Sequence, residues 1–269
     1  MSIFFAGNEL RQRKGIFYPS FDPDFLVWYN RVLAAGSSIS APNIVTLNQF
    51  FLNLKKNNLW TSITQANILC GTSSLAGCLI PIKGATPVNN NFVTGDFSVT
   101  AGLQGNGSNK WLDTTILESS FSSNPDSVGR HFFIASSSLT NPLVSNVYLI
   151  GAVTAGGLGG SRIYSPNTTS LSASLNASAT LTIGSPNLGI LPNRIGISRQ
   201  NSVFNRYLNG NILSTASSIG TITTTNTIGV YATAGQQKIN ARFQFYSFGY
   251  FANLTTLDSV VSTMISALV

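Results

Sequence analysis

Charge is the scarcest property of this sequence, since only 9% of its 269 residues are Asp, Glu, Lys or Arg, against about 25% in an ordinary soluble domain. A helical bundle would need Glu, Lys, Ala and Leu in quantity, so this class is excluded. What the sequence has instead is 35 Ser, 25 Thr and 27 Asn, together with 24 Gly. This composition favours short strands joined by tight turns.

Histidine and cysteine are almost absent. Two cysteines, Cys70 and Cys78, are too few for a disulfide framework, and they lack the neighbours of a metal site, so we expect free or buried thiols. The single histidine, His131, stands beside Phe132 and Phe133, and no Gly-x-Ser-x-Gly elbow accompanies it. We therefore expect a packed or surface histidine instead of a catalytic base.

Long apolar runs are also missing. No segment approaches the ~18 uncharged residues of a membrane span, and residues 9–14 place four charges where a signal peptide needs an apolar stretch. These features predict synthesis in a cytoplasm and no membrane insertion. The net charge is +7, but the basic residues are dispersed, so we expect no nucleic-acid partner.

The N-terminal 21 residues form a predicted docking arm. Large apolar side chains are mixed there with three cations, without a clear periodicity, which is unusual for a solvated tail and indicates packing against a partner. The residues assigned to this arm are Phe4, Phe5, Arg11, Arg13, Lys14, Phe17 and Tyr18.

A small helical hairpin is predicted for residues 22–60. Asp22 can cap the first helix, Pro23 suits its first position, and Gly36 suits its end. Ser40 opens the second helix. We expect residues 61–84 to be a linker and residues 85–269 to form one domain.

Short runs rich in Val, Ile, Phe and Tyr follow, separated by turn signals. Asn209-Gly210 is a strong hairpin signal. The fold class expected is mainly β, an antiparallel jelly-roll sandwich, closed by a C-terminal helix from Thr255 or Thr256. The runs predicted as strands are 91–100, 111–117, 130–136, 146–153, 179–183, 194–199, 203–208, 227–231 and 242–251.

The order of motifs resembles a group of bacteriophage virion structural proteins with a concanavalin A-like (LamG-type) jelly roll. The similar stretches are residues 25–60, residues 85–116 with "GLQGNGSNKWLDTT", the "VFNRYLNGN" hairpin and the closing residues from 243, "FQFYSFGYFANLTTLDSVVSTMISAL". The sequence departs from the pattern at Pro42-Asn43, where the group has an acid, and at Asn58, where it has glycine.

The resemblance implies a structural component of a virion, located in the tail, fibre, baseplate or capsid surface. Such a protein would assemble with other virion proteins through its N-terminal region and would form a homo-oligomer, a trimer or a ring. It would be no enzyme and would need no cofactor and no metal.

Two further functions stay open. A receptor-binding module for host surface glycan would use displayed aromatic side chains, and the available candidates are Trp111, Tyr148, Tyr164 and Tyr231. A glycan hydrolase needs two facing carboxyl groups, but Asp96, Asp113, Glu118 and Asp126 form no such motif. We expect Asp113 to bond turn amides instead. The segment 156–160, GGLGG, lacks the lysine of a phosphate-binding loop and is expected to be a plain loop.

Overall fold

The fold is a sandwich of two antiparallel sheets, described by a computed structural model for residues 21–121, 129–140, 143–154, 160–177, 180–216, 224–233 and 237–268. Within these ranges, no helix combines the length and apolar character needed to cross a bilayer. The described residues form four α-helices: α1 (Pro23–Ala34), α2 (Ala41–Lys56), α3 (Leu75–Cys78) and α4 (Leu254–Ala267).

Sheet A contains eight strands in the order β13, β12, β11, β6, β16, β4, β3, with β1 also paired to β16. Their bounds are β1 (Ile63–Ile68), β3 (Phe97–Ser98), β4 (Gly102–Gln104), β6 (Arg130–Leu139), β11 (Asn193–Gln200), β12 (Val203–Leu208), β13 (Asn211–Ala216) and β16 (Ala241–Gly249).

Sheet B contains eight strands in the order β10, β9, β8, β7, β14, β5, β2, with β15 paired in parallel to β7. Their bounds are β2 (Val88–Asn90), β5 (Trp111–Leu117), β7 (Val147–Val153), β8 (Gly160–Ser165), β9 (Leu171–Ala177), β10 (Leu181–Gly184), β14 (Thr227–Val230) and β15 (Gln237–Lys238). The predicted class, an antiparallel jelly-roll sandwich with a C-terminal helix, is confirmed.

The helical hairpin forms where the local signals predict it. The Asp22 carboxylate accepts hydrogen bonds from the amides of Asp24 and Phe25, at 2.9 and 3.2 Å, and Pro23 occupies the first helical position. Gly36 follows α1 with a φ of +74°, a left-handed conformation that glycine adopts without steric cost. Ser40 precedes α2.

Two apolar cores stabilise the molecule. One lies between the two sheets and includes Ile134, Leu149 and Ile163. The other lies between the helices and sheet A, where Phe25 and Phe51 of the hairpin belong to the same buried cluster as Phe245 of β16. Sheet A is therefore apolar on both sides, and the described long helices cover its outer surface.

The segment expected to be a linker, residues 61–84, contains a strand of sheet A. Its residues Ile63–Ile68 form β1, which pairs antiparallel with β16 from Ile63 opposite Gly249 to Ile68 opposite Phe245. The sequence does not predict this strand, because the polar residues Gln65 and Asn67 interrupt its apolar pattern. Both are buried and hydrogen-bonded inside the fold.

Other boundaries differ from the predictions. Residues 91–100 do not form one strand, since a 3₁₀ turn at Thr94–Asp96 separates β2 from β3. Strands β2, β4, β8, β9 and β15 lie outside the predicted runs, and β13 was expected only as the second strand of the Asn209-Gly210 hairpin. The last helix begins one residue earlier than expected, at Leu254, because the Asn253 side chain accepts from the amide of Thr256 at 3.1 Å and caps it.

Candidate functional site

The outer surface of sheet B is the candidate functional site. The described long helices pack on sheet A and do not cover this surface, although every residue of β7 and β9 is buried. Leu112, Ile150 and Ile163 point into the central core. Because side chains alternate along a strand, the residues between such core positions point away from it.

One cross-strand row runs over this outer surface. Asp113 of β5 lies opposite Gly229 of β14, and Gly229 lies opposite Gly151 of β7. Gly151 in turn lies opposite Arg162 of β8, which lies opposite Ser174 of β9. With neighbouring strands about 4.8 Å apart, the acid and the arginine are separated by about 14 Å of floor made of two glycines.

Side chains are sterically excluded from this floor. A Cβ atom on Gly151, whose φ is +146°, would lie 2.3 Å from the carbonyl oxygen of Ser161 on the neighbouring strand. A Cβ atom on Gly229 would lie 2.8 Å from the carbonyl oxygen of Ala232 and 3.2 Å from the Trp111 ring. The row therefore carries no side chain between Asp113 and Arg162, and Gly151, Gly229 and the 6% exposed Arg162 are themselves buried.

A second group of side chains borders the row. Tyr148 and Tyr164 are opposite each other on β7 and β8, and their rings stack with centroids 5.5 Å apart. The Arg162 guanidinium lies 4.7 Å from the centroid of the Tyr164 ring. Lys238 of β15 is paired beside Tyr148. The arrangement joins aromatic rings, two cations and an acid, which is a chemistry suited to hydroxyl-rich ligands.

Three of the four aromatic residues predicted to contact glycan lie on this surface, namely Trp111, Tyr148 and Tyr164. Tyr148 is buried beneath its neighbours, whereas Trp111 and Tyr164 are half-buried. The prediction for Tyr231 is wrong. The residue follows β14 with a φ of +69°, which turns its ring into the core to stack on Phe243 at 4.2 Å.

Arg162, Lys238 and the two glycines of the row were not identified from the sequence. Only pairing across four strands brings them together, so no local motif marks them. The residues of the predicted docking arm, namely Phe4, Phe5, Arg11, Arg13, Lys14, Phe17 and Tyr18, lie outside the described residues, and their role stays a prediction.

Asp113 has the structural contact that the sequence suggests. Its carboxylate accepts a hydrogen bond from the amide of Thr115 at 2.8 Å, and Thr115 has a φ of +60°. Five of the six acids within the described ranges make ion pairs there, with Lys55, Lys110, Arg130 or Arg194. Asp113 is the sixth, and among the described residues no cation lies within 4 Å of its carboxylate.

Glu118, the other carboxylate considered for glycan hydrolysis, is fully buried. It accepts from Arg130 at 2.9 Å, from the Ser161 hydroxyl at 2.6 Å and from the amide of Thr224 at 2.9 Å. The cavity beside it measures about 10 Å³, which is the space of one water molecule. These three hydrogen bonds hold the Glu118 carboxylate inside the sandwich.

His131 is a packed residue, as expected. It is fully buried, its Nδ1 donates to the carbonyl oxygen of Tyr250, and its Nε2 lies 3.2 Å from the Ser247 hydroxyl. A carbonyl only accepts, so the proton of the neutral ring resides on Nδ1. Burial lowers the pKa of His131 to about 4.

The two thiols of Cys70 and Cys78 are free and buried. Burial raises the pKa of Cys70 to about 12 and raises that of Cys78 as well. In the part of the chain that the structure describes, no three His, Cys, Asp or Glu side chains form a group that could hold a metal ion. The absence of a metal or cofactor stays a prediction.

Comparisons with known proteins give likenesses of fold. No protein-family model and no curated protein matches the sequence. A Trypanosoma rangeli sialidase mutant displaying trans-sialidase activity is similar over 82% of this chain and 39% of its own, with 11% identity and a TM-score of 0.49. The Ruminococcus gnavus sialidase module CBM40, bound to α2,3-sialyllactose, is similar over 52% of this chain and 84% of its own, with 12% identity and a TM-score of 0.39.

These neighbours correct one expectation. The sequence suggests that the chain is no enzyme, whereas the similar structures include sialidases, which are glycan hydrolases. The expectation of a protein without enzymatic activity is therefore wrong as a conclusion about this fold. The chain spans about 39% of the length of those sialidases. At such identities the likeness concerns the fold and assigns no activity or substrate to this chain.

Proposed function

We propose that the outer surface of sheet B binds carbohydrate and that the protein is a receptor-binding component of a bacteriophage virion. The observation that carries the first part is the half-buried carboxylate of Asp113 on the same sheet surface as the half-buried rings of Trp111 and Tyr164. Aromatic rings pack on the C–H faces of sugars, and charged side chains bond their hydroxyl groups.

The geometry gives each residue a separate task. Trp111 covers Gly229 at one side of the floor and offers a half-buried ring. Tyr164 borders the other side, held by the Tyr148 ring and by Arg162. Because these supports are packed before any ligand arrives, little side-chain entropy is lost on binding.

Binding is tested with a glycan array and then by calorimetry with the sugar that gives the strongest signal. We expect Trp111→Ala and Tyr164→Ala each to weaken binding about tenfold, the loss of about 1.4 kcal/mol. The matched control is Tyr250→Ala, which removes an exposed tyrosine that follows sheet A. An array without any binding, or equal weakening by Tyr250→Ala, would contradict the proposal.

The virion part rests on the collinear resemblance of residues 22–269 to phage structural proteins and on the apolar, basic arm that precedes them. In this proposal the arm attaches the protein to other virion proteins. Deleting residues 1–21 is expected to abolish incorporation into particles while the sandwich stays folded. Particles that retain the truncated protein at normal copy number would refute this part without affecting the carbohydrate site.

A further inference from the structure

The outward side of helix α1 is apolar. Its exposed residues are Pro23, Leu26, Val27, Asn30, Leu33 and Ala34. They recur at intervals of one, three and four residues, so they lie along one side of the helix, and we call them the α1 stripe. Leu26, Val27 and Leu33 are 38%, 62% and 42% exposed. The stripe contains no charged residue, and Asn30 is its one polar side chain.

The other two long helices of the described chain present more polar surfaces. The residues exposed on α2 are Ala41, Pro42, Val45, Gln49 and Lys56, and those exposed on α4 are Thr255, Ser259, Thr263, Ser266 and Ala267. The inner side of α1 is apolar as well, since it buries Phe25, Trp28 and Val32. A helix that is apolar on opposite sides is normally buried on both. The α1 stripe therefore indicates a surface that another segment covers.

The chain enters α1 at one end of this stripe. The Phe21 ring stacks on the Phe25 ring with centroids 5.7 Å apart, and the Phe25 ring stacks on Tyr29 at 5.8 Å. Phe21 directly precedes the capping residue and is held against the first turn of the helix, as in a hydrophobic staple. Residues 1–20, which lie outside the described part of the chain, join the molecule at this point.

The six residues before Phe21 match the α1 stripe in character and in length. Residues 15–20 read Gly-Ile-Phe-Tyr-Pro-Ser, so they carry no charge and three large side chains in succession. Their Pro-Ser end favours a turn. The 12 residues of α1 are about 18 Å long at 1.5 Å per residue, and six extended residues reach about 20 Å. The segment is therefore long enough to run back along the whole stripe.

We propose that residues 15–20 fold back over the α1 stripe of the same chain, with Ile16, Phe17 and Tyr18 packed on its apolar side chains. A segment joined to its own binding surface by a short linker has an effective concentration in the millimolar range. It therefore occupies the stripe in preference to a separate chain at the lower concentrations of a protein solution.

The cations of the N-terminal arm lie upstream of this covering segment. Arg11, Arg13 and Lys14 find no opposite charge on the uncharged stripe, so they remain available to a partner of the arm. The inference goes beyond the proposed attachment to other virion proteins and does not depend on it. It also gives the arm a defined exit, because the basic residues then leave the molecule near the C-terminal end of α1.

The test compares two matched helix positions in the full chain. Val27 and Val45 are each the fifth residue of their helix, and they are 62% and 57% exposed. In Val27→Cys and Val45→Cys the new thiol is labelled with a maleimide and followed by mass spectrometry, with the wild type, whose two thiols are buried, as background. We expect Val27→Cys to react at about a tenth of the rate of Val45→Cys, because a site that is open a tenth of the time reacts in proportion.

A third protein combines Val27→Cys with Phe17→Ser and Tyr18→Ser, which removes the apolar side chains of the cover. Its labelling rate should rise to that of Val45→Cys. Equal rates for the two single variants overturn the proposal, as does slow labelling that the arm substitutions leave unchanged. Labelling of Val27→Cys that slows further as the protein concentration rises overturns it too, because a second copy then covers the stripe. If Val27→Cys fails to fold, Leu33→Cys on the same stripe replaces it.

Discussion

The burial of His131 should make the protein less stable in acid, and this loss of stability can be measured. The unfolded chain takes up a proton at the ordinary histidine pKa of 6.5, whereas the native ring does so only near pH 4. Between these values the unfolded state binds more protons, so the free energy of unfolding must fall as the pH falls. The contribution is fully present above pH 6.5 and is lost on the way to pH 4.

The size of the effect follows from the shift. One pKa unit corresponds to 1.36 kcal/mol, so a change from 6.5 to about 4 amounts to about 3 kcal/mol for a group that is fully buried. Because His131 is the only histidine, no other imidazole titrates in this window. A variant at position 131 retains the same carboxylates, so their titration near pH 4 cancels in the comparison with the wild type.

The substitution is His131→Asn, whose amide can still donate to the carbonyl oxygen of Tyr250 but does not titrate. Urea unfolding is followed by tryptophan fluorescence at pH 7.5, 6.5, 5.5 and 4.5. We expect the wild type to lose about 1.4 kcal/mol per pH unit more than the variant below pH 6.5. Ser247→Ala, which keeps the imidazole, should show the slope of the wild type. Identical slopes for the wild type and His131→Asn would refute the reasoning.

Three further predictions follow from buried groups. Glu118→Gln removes the carboxylate that faces buried Arg130 and should cost about 3–5 kcal/mol in urea unfolding; a loss below 1 kcal/mol would contradict it. Tyr207→Phe removes the 2.7 Å bond to Asp258 of α4 and should cost about 1.5 kcal/mol, with an unchanged midpoint as the opposing result. Both thiols are buried and should react with a thiol reagent only in denaturant, whereas labelling of the native protein would show that the core opens.

The helices and the hairpin could be predicted because their signals are local. Asp22 and Gly36 act within one turn of the helix they delimit, and Asn209-Gly210 fixes its own turn. Strand β1 could not be predicted, because Gln65 and Asn67 give it a polar pattern. Their buried partners, including the Tyr246 hydroxyl 2.7 Å from the Asn67 side chain, are distant in sequence.

The candidate site could be predicted only in part, for a related reason. Alternation along a strand assigns each side chain to a surface only while the register is regular, and β7 is irregular between Tyr148 and Ile150. At Tyr231 a positive φ ends the alternation and turns the ring inward. An aromatic residue in a predicted strand therefore indicates a sheet, whereas the surface it occupies depends on bulges that its neighbours determine.

The few charged residues are unevenly distributed over the fold. Glu118 and Arg130 are paired inside the sandwich, and Lys55 joins Asp22 to Asp24 at the start of the helical hairpin, so these charges stabilise the structure and are largely neutralised. Asp113 has no cation within 4 Å among the described residues. The chain has only eight acids, and Asp113 lies beside the two glycines of the row. Its carboxylate is therefore a hydrogen-bond acceptor that no described cation neutralises. Recognition of hydroxyl groups requires such an acceptor.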